Sequence, residues 1–125
     1  MKYIEIFGRM FDLKTKRPIR VDEDGKLVSH SATTIGDNRK TVTTAATRER
    51  LVTGPTLSSY VIITAELDNT GVIAVGGSTV VAALATRRGT PLEAGDSCLV
   101  LCNNLYDIFL DATVSGDGVT FTYGD

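Results

Sequence analysis

The chain of 125 residues contains no tryptophan, one histidine, two cysteines and three prolines. Such a small set of nitrogen and sulfur ligands does not predict a zinc site, and we expect no metal ion and no other cofactor. Aromatic residues make up only 6% of the chain, few for a protein that stacks sugar rings. No apolar stretch approaches the roughly 20 residues of a membrane-spanning helix. Glu5, Arg9 and Asp12 interrupt the N-terminal segment, which therefore does not have the pattern of a signal peptide.

The net charge of −2 is unevenly distributed. Residues 1–50 carry eleven Lys and Arg against seven Asp and Glu, whereas residues 51–125 carry two against eight. A basic first part and an acidic second part favour contact with other copies of the chain or with an acidic partner. A chance imbalance on solvated faces explains the pattern equally well. The basic residues are scattered without interleaved aromatics, so we expect no nucleic-acid binding.

From residue 39 onward, short runs rich in β-branched and aromatic residues alternate with turn residues. This pattern is typical of consecutive antiparallel strands, and no run is long and periodic enough for a helix. Strands are predicted at residues 40–46, 49–52, 60–67, 72–75, 98–102, 106–112 and 118–123. Turn residues predict two hairpins, 60–67 with 72–75 and 106–112 with 118–123. The consecutive apolar residues Val61 to Ile63 predict a strand covered on both faces.

The predicted fold is all-β: an antiparallel β-sandwich of about eight strands, jelly-roll-like, preceded by an extended N-terminal arm with a hairpin. We place the arm at residues 1–38 and the sandwich domain at residues 39–125, because residues 29–38 are small and polar. Within the arm, residues 18–28 predict a hairpin that turns at Asp24-Gly25. A calcium loop there would lack the EF-hand spacing. The arm has too few apolar residues to fold alone and would gain order on a partner.

Cys98 and Cys102 fall on the same face of one predicted strand. At ~3.3 Å per residue their Cα atoms lie about 13 Å apart, too far for a disulfide. We interpret them as small buried hydrophobic residues, with Val100 between them. Leu99 and Leu101 then fall on the opposite face, where two exposed leucines are costly. Our hypothesis is that they face another subunit; burial under the arm of the same chain is the alternative.

No residue pattern predicts catalysis. His30 has no nearby nucleophile and orienting carboxylate. Gly76-Gly77 is followed by a strand-like run instead of the helix that a phosphate-binding loop requires. Glu93 and Asp96 form a carboxylate pair in a turn-like segment, where solvated acids are common. We predict no catalytic, cofactor-binding or metal-binding residue, and do not expect an enzyme.

Turn and core residues of the second half form a distinctive series. Its members are Gly76-Gly77-Ser78, Val80, Gly89-Thr90-Pro91-Leu92, Ala94-Gly95-Asp96-Ser97, Asn104-Leu105, Ile108-Phe109-Leu110-Asp111 and Gly118-Val119-Thr120-Phe121. The series resembles the C-terminal β-domain of small virion proteins of tailed bacteriophages. The resemblance covers about the last half of the chain.

This resemblance implies a virion protein at the capsid surface, assembled in the host cytoplasm. We expect a capsid decoration (cement) protein that binds the outside of the head and stabilises contacts between capsid subunits. The expected partners are the major capsid protein and other copies of the chain, and the expected homo-oligomer is a trimer. The candidate partner-binding residues are Tyr3, Ile4, Ile6, Phe7, Ile19, Val21, Leu27, Leu99 and Leu101.

Two alternatives remain open. The first is a minor virion component, such as a head fibre base, a tail component or a head–tail connection protein. The second is a host-surface or glycan-binding β-module. An exposed cluster of Tyr60, Tyr106, Phe109 and Tyr123 would indicate the second alternative.

Overall fold

The structure of the chain, a computed structural model, describes residues 33–125 and, before them, the backbone of two short strands. By its internal contacts the chain divides into two compact units, Met1–Ser31 and Ala32–Asp125. In the first unit, β1 (Phe11–Asp12) pairs antiparallel with β2 (Arg17–Pro18). The hairpin predicted at residues 18–28 lies, after its first residue, outside the described residues.

The second unit consists of eight strands and very little helix. Two single-turn 3₁₀ helices, Leu84–Thr86 and Leu105–Asp107, are the only helical segments among the described residues, and neither could span a membrane. The strands are β3 (Ile35–Thr41), β4 (Glu49–Arg50), β5 (Tyr60–Ala65), β6 (Ile73–Gly76), β7 (Thr90–Leu92), β8 (Ser97–Leu101), β9 (Phe109–Ala112) and β10 (Gly118–Gly124).

These strands form two four-stranded sheets in which every pairing is antiparallel. The first sheet has the order β3-β10-β5-β8, and the second has the order β4-β9-β6-β7. The prediction of an all-β, antiparallel protein is confirmed.

The strand pairing is nested along the chain. β6 pairs with β7 at the centre, followed outward by β5 with β8, β4 with β9 and β3 with β10. Pairings of β5 with β10 and of β6 with β9 complete the two sheets. Every connection between consecutive strands therefore crosses from one sheet to the other, except the one from β6 to β7.

One hydrophobic cluster contains buried side chains from both sheets. In β5, Val61 and Ile63 are fully buried, whereas Ile62 between them is 43% exposed. This alternation is the period of two that a strand imposes on its side chains. The prediction that Val61 to Ile63 is covered on both faces is therefore wrong, because only one face of β5 meets the core.

The two predicted hairpins are also wrong. β5 and β6 lie in different sheets, and so do β9 and β10. Turn residues specify that the chain reverses, but they do not specify that the strands before and after the turn pair with each other.

Side-chain hydrogen bonds hold the turn after β5 against the connection that precedes β10. The buried carboxylate of Asp117 accepts hydrogen bonds from the backbone amides of Thr70 (3.1 Å) and Gly71 (2.8 Å). The Asn69 side chain donates to the Gly118 carbonyl and accepts from the Gly118 amide, both at 2.8 Å. The turn is thus fixed to a neighbouring connection, and the chain continues into the other sheet.

β3 begins earlier than its sequence predicts. Residues 35–38, interpreted as part of a connecting segment, form the first half of the strand, and all seven residues of β3 pair with β10. Residues 42–46 of the predicted strand 40–46 leave the sheet, and Ala46 has a φ of 62°. β3 has no apolar period because it is an edge strand, specified by its backbone pairing with β10.

The segment that leads into β3 lies beside the last residue of the chain. The Thr33 amide donates to the Asp125 carbonyl at 2.6 Å, and the Asp125 amide donates to the Thr34 carbonyl at 3.0 Å.

We expect Asp117→Ala to lower the free energy of unfolding by about 1–3 kcal/mol, because the amides of Thr70 and Gly71 lose their acceptor. Asp117→Asn, which keeps one acceptor oxygen, should lose less. Asp68→Ala, a change of an exposed acid in the same turn, is the control, with a change of about 0.5 kcal/mol or less. Urea denaturation measures all three variants. Equal losses for Asp117→Ala and Asp68→Ala would contradict the assigned role of Asp117.

Candidate interaction surface

The outer face of the second sheet is covered by the connection between β6 and β7. Val80 and Ala82 of this connection are buried in a small cluster with Ala74, and Phe109 packs against it. The Asp111 carboxylate, itself buried, accepts a hydrogen bond from the Ala82 amide at 2.8 Å. The connection therefore occupies the face that the second sheet turns away from the core.

The outer face of the first sheet differs, because several of its apolar side chains are exposed. We call the outward-facing residues of β10, β5 and β8 the uncharged face, because none of them is Asp, Glu, Lys, Arg or His. Its members are Tyr60, Ile62, Thr64, Ser97, Leu99, Leu101, Thr120 and Thr122.

The apolar residues of the uncharged face lie together. Ile62 is directly opposite Leu99 across the β5–β8 pairing, and Tyr60 is opposite Leu101. Leu99 is 61% exposed and Leu101 is 77% exposed. Ile35 of β3, 64% exposed, falls in the same row as Tyr60, with Gly124 between them. Contiguous exposed apolar side chains mark interaction sites more often than single ones do.

The structure places Leu99 and Leu101 on the face that the sequence predicted for them. Cys98, Val100 and Cys102 pack against the core cluster on the opposite side, and both cysteine thiols are free. Burial raises the pKa of the Cys98 thiol, so this thiol stays protonated at neutral pH and behaves as a small hydrophobic group. The Cys102 Sγ lies 3.2 Å from the Ser58 Oγ.

β8 and β3 are the two edges of the first sheet, and they differ in charge. β3 carries Asp37, Arg39 and Lys40, whereas residues 97–104, which include all of β8, carry no charged side chain. Edge strands are commonly protected from pairing with other chains by charged residues. By this criterion β3 is protected and β8 is not.

A groove of about 380 Å³ lies on the other side of the molecule, between β3 and residues 51–56. Phe121 and Tyr123 contribute aromatic rings to it. The cations that line it are already paired: Lys40 with Glu49 at 2.9 Å, and Arg39 with Glu66 at 2.7 Å. The groove thus combines two aromatic rings with cations that are already paired.

Of the two carboxylates of Glu93 and Asp96, that of Asp96 has a structural role in a turn. The Asp96 Oδ2 accepts a hydrogen bond from the Glu93 amide at 3.0 Å. Among the described residues, no three His, Cys, Asp or Glu side chains are grouped so that they could hold a metal ion.

The four aromatic residues whose exposed cluster would indicate glycan binding are all partly buried, and they lie in three different places. Tyr106 and Phe109 pack on either side of Arg50, whose guanidinium carbon lies 3.9 Å and 4.5 Å from the ring centroids. Tyr123 packs against the core, and Tyr60 is on the uncharged face. They do not form one exposed cluster.

Seven predicted partner-binding residues lie outside the described residues: Tyr3, Ile4, Ile6, Phe7, Ile19, Val21 and Leu27. The sequence analysis missed Ile62 and Ile35 as surface residues. A strict period of two in β5 would have predicted that Ile62 faces outward, because its neighbours Val61 and Ile63 face the core. No such pattern predicted that Ile35 faces outward, because apolar and polar residues do not alternate along β3.

Comparisons with protein-family models, with curated proteins and with solved structures gave no match to this chain. Among the described residues, the features that suggest a function are the uncharged face and the unprotected edge of β8.

Glu49 links the two sheets at the groove and should make stability depend on pH. Burial by itself would raise the pKa of Glu49, but hydrogen bonds from Lys40 and from the amides of Thr43 and Thr44 outweigh it and lower the pKa. A lowered pKa in the folded state adds stability above the pKa of the unfolded chain, and this stability is lost as the pH falls through the folded pKa.

We therefore expect Glu49→Gln to lower the free energy of unfolding at pH 7 by about 1–2 kcal/mol. The difference from the unchanged protein should shrink below about pH 4.3, the ordinary glutamate pKa, and vanish once Glu49 is protonated. Denaturation at several pH values measures this difference, with Glu93→Gln, a change of an exposed glutamate in a turn, as the control. A constant difference from pH 7 to pH 2 would contradict the assigned ionic role.

Proposed function

We propose that this chain is a structural protein of a tailed-phage virion, a capsid decoration protein that binds the outside of the head and stabilises contacts between capsid subunits. The observation that carries the proposal is the uncharged face. It offers exposed apolar side chains on a rigid sheet, which suits contact with another protein surface. The described residues offer no comparable arrangement for catalysis.

The proposed architecture of residues 32–125, which include all of β3, is a jelly-roll-like β-sandwich. The nested strand pairing supports it, since a long antiparallel ribbon folded over two sheets gives this order of strands. The core cluster shared by the two sheets supports the sandwich. A body of this kind is stiff and small, as a protein that adds to the surface of a capsid needs to be.

The residues that resemble the phage virion proteins occupy positions on which this fold depends. Gly89 has a φ of +101°, and a Cβ there would lie 2.5 Å from the Val75 carbonyl oxygen. The Asn104 side chain accepts hydrogen bonds from the amides of Thr56 (2.8 Å) and Tyr106 (3.0 Å). A shared series of such residues supports a shared architecture more strongly than a series of surface residues would.

The N-terminal arm is the proposed contact with the major capsid protein. Residues 1–31 carry seven Lys and Arg against five Asp and Glu, whereas residues 32–125 carry six against ten. A net positive arm on a net negative body favours contact with an acidic partner surface. An arm that gains order on the capsid would add reach to the rigid body, and many copies on one lattice would multiply weak contacts.

The copy number in purified particles of the source tests this function. Quantitative mass spectrometry should give a ratio to the major capsid protein of one, or a simple fraction of one. A few copies per particle would instead indicate a fibre base, tail or head–tail connection protein. Absence from the particle would overturn a virion function. In the part of the chain that the structure describes, no exposed aromatic cluster supports the glycan-binding alternative.

The arm can be tested separately with the double variant Ile4→Asp, Ile6→Asp. We expect it to lose co-sedimentation with capsids that lack the protein, because apolar contacts of the arm are replaced by charges. Thermal unfolding of the domain should stay unchanged. Lys14→Gln, a change in a polar part of the same arm, is the control and should still bind. Unchanged binding of the double variant would contradict the proposed contact.

A further inference from the structure

The phase of hydrogen bonding in the first sheet shows which backbone groups of β8 point outward. The Ala65 amide donates to the Asp96 carbonyl, and these residues continue the register in which Ile63 is opposite Cys98 and Val61 is opposite Val100. Because bonded and non-bonded pairs alternate in an antiparallel ladder, Cys98 and Val100 bond to β5. The N–H and C=O groups of Ser97, Leu99 and Leu101 therefore point away from β5, towards the edge with which no other described strand pairs.

The side chains at this edge favour pairing with another strand. The sequence from Ser97 to Asn104 has no charge and no proline. An uncharged edge strand with a row of outward N–H and C=O groups is a template for strand addition. At the opposite edge, β3 carries charges on both sides of its strand.

We propose that a second copy of this chain pairs with β8 through its own β8, antiparallel and about a two-fold axis at Leu99. In this register Leu99 is opposite the partner's Leu99, and Ser97 is opposite the partner's Leu101. All outward groups of the strand are then used, which gives about six hydrogen bonds. A two-fold axis at Cys98 or at Val100 would give only about four hydrogen bonds between the two β8 strands. The geometry thus selects one register, and the two first sheets join into an eight-stranded sheet.

The same register makes the uncharged faces continuous. Residues that pair across an antiparallel ladder point to the same side of the sheet, so Leu99, Leu101 and Ile62 of both copies form one apolar strip. Cys98 and Val100 stay on the core side. A two-fold contact requires a surface that complements itself, and an apolar strand without charge meets that requirement.

Electrostatics favour this arrangement as well. The acidic residues nearest to β8, Glu93 and Asp96, lie before its first residue. In the antiparallel pair, Asp96 is level with position 102 of the partner, so the two Asp96 residues lie about 20 Å apart. At physiological ionic strength this separation exceeds the Debye length of about 8 Å. Repulsion between the two Asp96 carboxylates is therefore largely screened and does not oppose the contact.

The inference rests on the geometry of the sheet and does not require the virion function. It replaces the expected trimer with a two-fold assembly. The other possible occupants of the edge, the N-terminal arm of the same chain or a different protein, predict a chain that does not dimerise through β8.

The first test is the molar mass of the full chain in solution, measured by light scattering after size exclusion over a range of concentrations. We expect about 27 kDa, twice the 13.4 kDa of one chain. Leu99→Lys should give the monomer mass, because it places two like charges opposite each other on the axis. Leu84→Lys is the matched control, since Leu84 is 81% exposed and lies over the second sheet; it should remain dimeric.

The second test is the register. In a Cys98→Ala, Cys102→Ala background, Leu99→Cys should form a disulfide between copies under mild oxidation. The Cα atoms of a hydrogen-bonded antiparallel pair lie about 5.5 Å apart, within the range of a disulfide. Leu101→Cys in the same background should not cross-link, because the two positions lie about 13 Å apart across the axis.

Three outcomes would overturn the inference: a monomer at all concentrations, an assembly that Leu99→Lys leaves intact, or cross-linking at 101 but not at 99. These outcomes are independent of the copy number in particles. A dimeric protein that is absent from particles would remove the virion function and leave the β8 contact. An abundant virion protein that stays monomeric would remove the β8 contact and leave the virion function.

Discussion

The fold depends on side chains that accept hydrogen bonds from the backbone where the chain crosses between the sheets. Nested pairing forces a crossing at every connection but one, and each crossing leaves amides that the sheets cannot satisfy. Asp117 accepts hydrogen bonds from the amides of the turn after β5, and Glu49 accepts them from amides after β3. Asn104 accepts them from the amide of Thr56, before β5, and from that of Tyr106, in the second 3₁₀ helix. An amide that folding removes from water without an acceptor is costly, so these polar side chains stabilise the crossings that the apolar core alone would not hold.

The sequence predicted the strands better than their partners. Alternating burial in β5 and β8 follows from a period of two, and both were recognisable from their β-branched and apolar residues. The pairing was not recognisable, because an Asp-Asn-Thr-Gly turn looks the same in a hairpin and at a crossing. The difference lies in Asp117, almost fifty residues later in the chain, whose carboxylate binds that turn.

For a related reason, the sequence predicted only some of the residues of the uncharged face. Leu99 and Leu101 stood out because two apolar residues alternated with a predicted core set. Ile62 did not, since it sits in an unbroken apolar run whose inner and outer members look alike. The edge position of β8 depends on the order of strands in the sheet, which follows from pairings that span the whole chain. The sequence therefore predicts that Leu99 and Leu101 lie on a surface, and the order of strands places both of them on an edge strand.

β3 follows the first unit in the chain, and among the described strands it pairs with β10 alone. Its seven residues are paired with β10 from Ile35 opposite Gly124 to Thr41 opposite Gly118. A force along the axis of β3 would act on all the hydrogen bonds between β3 and β10 at once, as in shear. A pull away from the sheet would break them one at a time, beginning at the hydrogen bonds between Thr33 and Asp125. The mechanical strength of any attachment made through the arm is therefore set by its direction, with the strong direction parallel to β3.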